Sequence, residues 1–326
     1  MASLTHEQLR KAYLQLLGRE PEREGLWEDV DAVTALLEIA SSHEHRDHIR
    51  RQTASEERFQ IAAADGLYFL TCSEDRVIGE SLRLGGKFEE GSVEAVTKLL
   101  AANGRHIKND VFVDVGANIG THSIRAIMSG FSRAVCIEAD ENNFKLLKIN
   151  QILNNVEKQC INYLLAASYK HSEFTIELSP TNFGDHRIRL NSAAQSFHGE
   201  ENWETNKILG MELDSILSYA LSDGKQPSLV WVDTQGHEAH VLSGASKLLS
   251  SNTPIVIEFW PYGLYRSGGL DLLLKVISLR QIYDLRQSEL AGTLISTNPE
   301  ELSKIFQEML NLEKDGFSPH TDLLLL

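Results

Sequence analysis

Five short apolar runs, each separated from the next by a longer stretch that includes helical spacing, constrain the fold of this chain most strongly. They lie at residues 111–115, 134–137, 161–167, 229–232 and 255–259. Continuous runs rich in β-branched residues are typical of parallel strands covered by helices on both faces of the sheet. The pattern therefore predicts a doubly wound α/β domain.

Charge and length limit the kinds of partner and the number of domains. The chain has 326 residues, and its 31 Lys and Arg against 46 Asp and Glu give a net charge of −15. Its length suits one large domain with a small one. A general nucleic-acid binder needs a concentrated basic face, so the acidic balance argues against a nucleic-acid partner.

Neither the N-terminal sequence nor the cysteines point to export. The segment MASLTHEQLRKAY has no apolar signal region, and no apolar run approaches the ~18 residues that a membrane span needs. Cys72, Cys136 and Cys160 are odd in number and widely spaced, which favours neither a disulfide framework nor a zinc site. A cytoplasmic protein without a membrane span is therefore expected.

Residues 1–55 read as a helical module, followed by a domain at 56–326 whose lead-in spans 56–105. Leu9, Tyr13, Leu16 and Leu17 recur at helical spacing. The segment LGREP (17–21) with Gly25 resembles a short helical domain, of unassigned function, often found beside bacterial glycosyltransferases.

Other short patterns in the first hundred residues give further expectations. Three histidines, His43, His45 and His48, fit a solvated helix face better than a metal site, since no fourth ligand is apparent. Residues 59–90 look β-rich, and a helix is expected through the apolar positions 93, 96, 99 and 100.

The segment VFVDVGANIG (111–120) carries the strongest chemical signal. It predicts a strand ending at Asp114, a tight turn at Gly116 and Asn118, and a helix that Gly120 allows to pack closely on the strand. Open α/β sheets bind ligands beyond the carboxyl ends of their strands. A ligand site is expected at this turn.

The second strand identifies the ligand that fits this turn. The dinucleotide pattern G-x-G-x-x-G is absent, which disfavours a nicotinamide-dependent oxidoreductase. Asp114 would repel a pyrophosphate but suits a sulfonium and an ammonium, and Glu138 ends the next strand, where it can accept hydrogen bonds from a ribose diol. These residues predict S-adenosylmethionine as the cofactor.

Several segments in order resemble one known family. The segment DVGANIG (114–120) is similar to the first motif of the FkbM family of S-adenosylmethionine-dependent methyltransferases. DTQGHE (233–238) with VL-x-GA (241–245), NFGDHR (182–187), LDS (213–215) and the lead-in GGKFEE (85–90) match its further landmarks. The resemblance implies a class I, Rossmann-like methyltransferase fold and O-methyl transfer to a sugar or polyketide hydroxyl. One departure is Gln235, because the family often has D-x-E-G there.

A hydroxyl acceptor needs a base or a cation to help it lose its proton. Asp233 and two histidines, His186 and His237, are the candidates, with His186 preferred. Asp233 and Glu258 are also candidate ligands for a Mg²⁺-type ion. Helix capping or pairing with arginine by these two acids is favoured over the ion.

Aromatic residues leaving the fifth run suggest the acceptor side of the site. Trp260 and Tyr262 are candidates to line a sugar pocket, with a core role as the alternative. The favoured function is a methyltransferase acting on a hydroxyl of a sugar, glycan or glycosylated metabolite. The rival is a catalytically dead carbohydrate-binding or scaffolding protein, and the oligomeric state is left open.

Overall fold

A computed structural model describes residues 58–85, 92–108, 110–190, 196–314 and 318–326. The predicted helical module, its three histidines and most of the GGKFEE lead-in lie outside the described residues. The boundary expected at residue 55 therefore stays a prediction. Residues 61–326 form one compact unit.

The five apolar runs form the parallel centre of an eight-stranded sheet, as predicted. These strands are β3 (Val111–Val115), β4 (Arg133–Glu138), β5 (Cys160–Leu164), β10 (Leu229–Val232) and β11 (Ile255–Phe259). They lie in the order β11-β10-β3-β4-β5, and each neighbouring pair is parallel. The carboxyl ends of all five strands therefore meet along one edge of the sheet.

The other end of the sheet is mixed rather than purely parallel. The C-terminal leucine run forms β14 (Thr321–Leu325), a buried strand that pairs antiparallel with β11. On its other side β14 pairs antiparallel with β12 (Ile282–Asp284), which itself pairs with β13 (Ser296–Thr297). A strand that is buried on both faces has a continuous apolar run whatever its direction, so the leucine run does not define the direction of β14.

Side chains alternate along these strands between two apolar layers. Val111, Val113 and Val115 face one layer, whereas Phe112 faces the other. The α-helices of the described residues are α1 (Ile78–Gly85), α2 (Ser92–Ala102), α3 (Thr121–Met128), α4 (Glu141–Leu153), α5 (Leu213–Ala220), α6 (Glu238–Ser243), α7 (Ser246–Leu249), α8 (Pro261–Ser267), α9 (Leu270–Ile277), α10 (Leu285–Ala291) and α11 (Pro299–Leu312). The first layer packs against α5 to α9 and α11, and the second against α1 to α4 and α10. The doubly wound α/β fold is confirmed.

The lead-in is only partly β-structure. Strands β1 (Phe59–Ala64) and β2 (Leu67–Cys72) form a two-stranded sheet, in agreement with the β-rich expectation for this part of the lead-in. The β-rich expectation fails beyond residue 75, because the Asp75 carboxylate accepts hydrogen bonds from the backbone N–H groups of Val77 and Gly79. An acid in this position stabilises a helix start, and α1 follows.

A second sheet, which the sequence did not predict, occupies the long connection between β5 and β10. Its strands are β6 (Ala166–Ser168), β7 (Ser172–Leu178), β8 (Arg187–Arg189) and β9 (Glu204–Glu212), in the order β6-β9-β7-β8. The run at 161–167 thus divides at Leu165 between two sheets. In the part of the chain that is described, no helix combines the length and apolar character needed to cross a bilayer.

Candidate functional site

The turn after β3 is shaped by a close approach of two backbone segments. Gly116 has φ 87°, and the N–H groups of Gly116 and Ala117 both donate to the carbonyl of Ile137, at 2.9 and 3.0 Å. A Cβ added to Gly116 would lie 1.7 Å from the carbonyl oxygen of Asp233. Glycine is therefore required here, because any side chain would force the carboxyl ends of β3 and β10 apart.

The next turn residue connects this loop to the end of β4. Asn118 has φ 48°, and its backbone N–H donates to Glu138 Oε2 at 2.7 Å. The other carboxylate oxygen of Glu138 accepts from the N–H of Asp140, also at 2.7 Å. Burial raises the pKa of Glu138 to about 8, although these two hydrogen bonds oppose the shift. Its orientation is fixed, and each oxygen retains a lone pair for a ligand.

Asp114 lies behind the turn rather than at its surface. Its side chain is 1% exposed and lies close to His122 and Ser123 of α3. Burial raises its pKa to about 6, opposed by His122 and by hydrogen bonds with Ser123. The His122 ring stacks on Trp231 with centroids 4.5 Å apart. Asp114 therefore packs beneath the turn, and its predicted role in cofactor binding stays a prediction.

A cavity of about 1010 Å³ opens at the carboxyl edge of the central sheet. Most of the residues singled out from the sequence meet there, including three of the five assigned to the cofactor and all three candidate bases. Its lining includes Gly116, Asn118, His122, Glu138, His186, Asp233, His237, Glu258 and Trp260. Asp114, Gly120 and Tyr262 are not among the lining residues.

A group of carboxylates lies on the wall of this cavity. Asp233, which follows β10, and Glu258 in β11 line the cavity, whereas Glu238 at the start of α6 lies buried beside them. Together the three acids offer oxygen atoms within 4.8 Å of one another. The Gln235 side chain lies between two of them, with Nε2 at 2.7 Å from Asp233 Oδ1 and 2.9 Å from Glu258 Oε2. The two acids predicted as metal ligands thus lie together, while the ion itself stays a prediction.

The two candidate histidines differ in what their ring nitrogens contact. His186, half-buried, accepts a hydrogen bond at Nδ1 from the N–H of Ser179 at 3.0 Å, and burial lowers its pKa. His237 is 2% exposed, and burial lowers its pKa to about 3, with His240 adding to the effect. Its Nε2 lies 2.9 Å from Ser168 Oγ. Both rings are therefore neutral near pH 7.

Sequence reasoning missed a buried arginine that organises the aromatic wall. The Arg187 guanidinium lies 4.9, 4.6 and 5.4 Å from the ring centroids of Trp203, Trp260 and Tyr262. The guanidinium also forms salt bridges with Asp185 (Nε to Oδ1, 2.5 Å) and Glu200 (Nη1 to Oε1, 2.7 Å). Its place at the end of the NFGDHR segment was the available signal.

Tyr262 lies outside the cavity lining and packs against Arg187. It is fully buried, and its hydroxyl donates to Glu200 at 2.5 Å and accepts from the N–H of Phe197 at 2.9 Å. Burial by itself would raise the pKa of Glu200, but hydrogen bonds from Ser196 and Tyr262 outweigh it and lower the pKa to about 2. Tyr262 therefore holds Glu200, one of the two acids paired with Arg187, and Trp260 lines the cavity.

A smaller polar cavity of about 380 Å³ adjoins the large one. The two share Arg187, Ile188 and Gln235 as lining residues. The smaller cavity is also lined by two further arginines, Arg189 and Arg266, and by acids, serines and glycines. The site thus has two neighbouring compartments that share Gln235 as a lining residue.

A match over more than half of the chain decides the family of this protein. Residues 114–310 match the model of the methyltransferase FkbM domain, which is well over half of the chain. The chain belongs to the FkbM family of methyltransferases. S-adenosylmethionine is accordingly the cofactor of this FkbM protein. The class I, Rossmann-like fold that the resemblance implied is confirmed by its strand order.

Solved structures similar to this FkbM protein include other methyltransferases. An S-adenosylmethionine-dependent methyltransferase from Agrobacterium tumefaciens is 13% identical over 82% of this chain and 70% of its own, with a TM-score of 0.39. An RNA methyltransferase from Salinibacter ruber, in complex with S-adenosyl-L-homocysteine, is 14% identical over 53% of this chain and 76% of its own, with a TM-score of 0.30.

A third similar structure is the tRNA m1G37 methyltransferase of M. jannaschii, 25% identical over 33% of this chain, with a TM-score of 0.24. The FkbM chain spans 28% of that protein's length. Among curated proteins, none matches the chain significantly.

Proposed function

We propose that this FkbM protein transfers the methyl group of S-adenosylmethionine to a hydroxyl oxygen of a sugar-containing acceptor. The observation that carries the proposal is the position of Asp233. Its carboxylate lines the large cavity and accepts a hydrogen bond from the side chain of Gln235. Gln235 also lines the smaller polar cavity. An acceptor hydroxyl that reaches from the smaller cavity therefore meets a carboxylate beside the cofactor.

In this arrangement Asp233 is the proton acceptor, and Glu138 holds the cofactor ribose. Asp233 is half-buried at the end of β10, and its backbone N–H is fixed by the Val115 carbonyl at 2.9 Å. A positioned carboxylate within hydrogen-bond reach of the hydroxyl supplies general-base catalysis. In-line methyl transfer otherwise depends on orientation, which the rigid cavity walls provide.

The histidines are less suited to the role of base. Because His186 accepts at Nδ1, its neutral ring carries the proton on Nε2 and presents a donor to the cavity. His237 has its Nε2 against Ser168, and its pKa of about 3 disfavours proton uptake. We therefore assign His186 the role of donating to an acceptor oxygen, and His237 a packing role.

The polar lining of the smaller cavity supports a hydroxyl-rich acceptor over a phosphate-rich one. Its arginines are already neutralised: Arg189 lies 2.6 Å from Glu177, and Arg266 lies 3.7 Å from Glu177 and 3.9 Å from Glu200. Paired guanidinium and carboxylate groups donate to and accept from sugar hydroxyls. Trp260, in the lining of the large cavity, offers an apolar surface for a sugar ring. The net charge of −15 also disfavours a nucleic-acid acceptor.

Incubation with methyl-labelled cofactor and a panel of glycans, glycosylated metabolites and tRNA tests the proposal. Mass spectrometry of the products should find the label as a methyl ether on a sugar hydroxyl. Label on a nucleobase or on an amine would contradict it.

Two matched variants test the role of Asp233. Asp233→Asn should lower kcat by about 100-fold or more while the affinity for S-adenosylhomocysteine is kept. Asp223→Asn removes an exposed carboxylate paired with Arg133 and should leave kcat unchanged. If Asp233→Asn keeps its kcat and His186→Ala does not, the base is His186.

A further inference from the structure

The turn that carries Gln235 is held rigid by one buried acid. Glu238 Oε1 accepts from the N–H of Thr234 at 2.8 Å, the Thr234 hydroxyl at 3.1 Å and the N–H of Gly236 at 3.1 Å. Gln235 itself has φ 52°, an uncommon backbone conformation for a residue with a side chain. The turn thus fixes the direction in which the Gln235 side chain leaves the backbone.

The Gln235 carboxamide joins two carboxylates that would otherwise repel each other. Both partners of Nε2, Asp233 Oδ1 and Glu258 Oε2, are carboxylate oxygens, at 2.7 and 2.9 Å. Carboxylates accept hydrogen bonds and an amide NH₂ has two hydrogens to donate, so this group satisfies one oxygen of each acid. Glu258 is 8% exposed, which makes a bridging donor important there.

A third acid, Glu238, increases the need for a cation or a hydrogen-bond donor among these carboxyl groups. Glu238 is fully buried, and its Oε2 has no hydrogen-bond partner. Three ionised acids with oxygens within 4.8 Å of one another repel unless a cation, a proton or a hydrogen-bond donor lies between them. Within the described part of this site, the group found between Asp233 and Glu258 is the neutral amide of Gln235.

We infer that the Gln235 carboxamide takes the place of a divalent cation, so that Asp233 and Glu258 are held in position without a metal. The inference rests on the proposed function insofar as Asp233 is the base. A divalent cation on Asp233 would make its carboxylate a weaker proton acceptor, whereas a single amide donor lowers its basicity less. Gln235 is therefore a positioning residue that keeps Asp233 usable as a base.

The test introduces the missing negative charge and follows metal binding directly. Gln235→Glu brings a fourth carboxylate to Asp233, Glu238 and Glu258, a set of oxygen ligands suited to Mg²⁺ or Mn²⁺. Titration of Mn²⁺ alone, followed by electron paramagnetic resonance, should show binding to Gln235→Glu at least about tenfold tighter than to the wild type. The double variant with Glu258→Gln should lose this gain.

Activity gives a second readout with its own control. Wild-type turnover should be unchanged by EDTA or added Mg²⁺, while Gln235→Glu should be weak in EDTA and recover with Mg²⁺. Gln235→Ala removes the bridge without adding a ligand, so its lowered turnover should not be restored by Mg²⁺. Retained affinity for S-adenosylhomocysteine shows that each variant is folded.

Two results would overturn the inference: Mn²⁺ binding by the wild type as tight as by Gln235→Glu, or loss of wild-type turnover in EDTA. The Mn²⁺ titration needs no acceptor substrate. The metal-binding result for Gln235 could therefore still be interpreted if no methylated sugar were found.

Discussion

At the scale of single residues, Glu138 links cofactor binding to pH. Burial raises its pKa to about 8, so a proton occupies much of this site at neutral pH. A ribose diol donates to the ionised carboxylate, so binding should release that proton. The Kd for S-adenosylhomocysteine, measured by calorimetry, should rise by up to about tenfold per pH unit below 8 and be flat above it.

The control for this prediction is Glu138→Gln, which has no proton to release. It should bind the ligand more weakly and with a Kd that does not change between pH 6 and 9. Calorimetry in two buffers of different ionisation enthalpy should show proton release for the wild type alone. A wild-type Kd independent of pH over this range would mean that another group binds the ribose.

Two glycines allow the cost of a strained backbone conformation to be measured separately from the cost of a steric clash. Gly116 and Gly66 both have positive φ, 87° and 77°, but a Cβ at Gly116 would meet the Asp233 carbonyl at 1.7 Å, whereas Gly66 has nothing within 4 Å. Gly66→Ala should cost about 1 kcal/mol of unfolding free energy, from backbone strain alone. Gly116→Ala should cost at least about 3 kcal/mol, because strands must also separate. Urea denaturation measures both, and equal losses would contradict the close approach.

At the scale of elements, the loop at 179–186 is tied across the cofactor cavity by one carbonyl. The side-chain amides of Asn118 and Asn143 both donate to the Phe183 carbonyl, at 2.9 and 2.8 Å. Asn143→Ala should speed dissociation of S-adenosylhomocysteine by about fivefold, since a lost hydrogen bond is worth about 1 kcal/mol. Amide exchange at residues 180–185 should also become faster. The neighbouring exposed Asn142→Ala is the control, and equal rates in the two variants would show that the tie does not hold the loop.

The sequence predicted best those helices and strands whose burial follows from the apolar pattern of their own residues. Four of the five apolar runs became strands covered on both faces, whereas β5 at the edge of the sheet is only partly buried. The patterns around Val93 and Leu99 gave α2. The second sheet was missed because β6 and β8 have only 3 residues each and β9 has the burial pattern of a surface strand. Pairing between distant strands, such as β14 inserted beside β11, depends on partners that no local pattern contains.

The candidate site was predicted in part for the same reason. Gly116, Asn118 and Glu138 lie at strand ends, which a sheet brings together, and all line one cavity. Asp114 is one residue short of the end of β3 and faces α3 instead. In the LDS segment, the Asp214 carboxylate accepts from the N–H groups of Lys247 and Leu248, so its role is to cap α7. Such roles depend on contacts between elements.

At the scale of the whole molecule, the formal charge of −15 overstates the charge that the folded chain carries near pH 7. Burial raises the pKa of three acids at the site: Asp114 to about 6, Glu238 to about 7 and Glu138 to about 8. Glu138 and Glu238 are therefore protonated in a large fraction of molecules. Binding of the cofactor ribose favours the ionised form of Glu138, which lines the cavity, and so couples cofactor binding to the net charge of the protein.

The same acids determine how the stability of the cofactor-free protein depends on pH. Between pH 6.5 and 8 the folded state binds more protons than the unfolded state, because Glu138 and, up to about pH 7, Glu238 keep protons that their unfolded counterparts have lost. The free energy of unfolding should therefore fall as pH rises through this window, by roughly 1 kcal/mol per pH unit and group. Buried His237 acts in the opposite sense, but its pKa of about 3 confines that effect to pH values below the unfolded pKa of 6.5. Urea denaturation at pH 6.5, 7 and 8 tests the slope. In Glu138→Gln the fall should end near pH 7, and a wild-type stability that rises from pH 6.5 to 8 would mean that the buried acids are already ionised in the folded state.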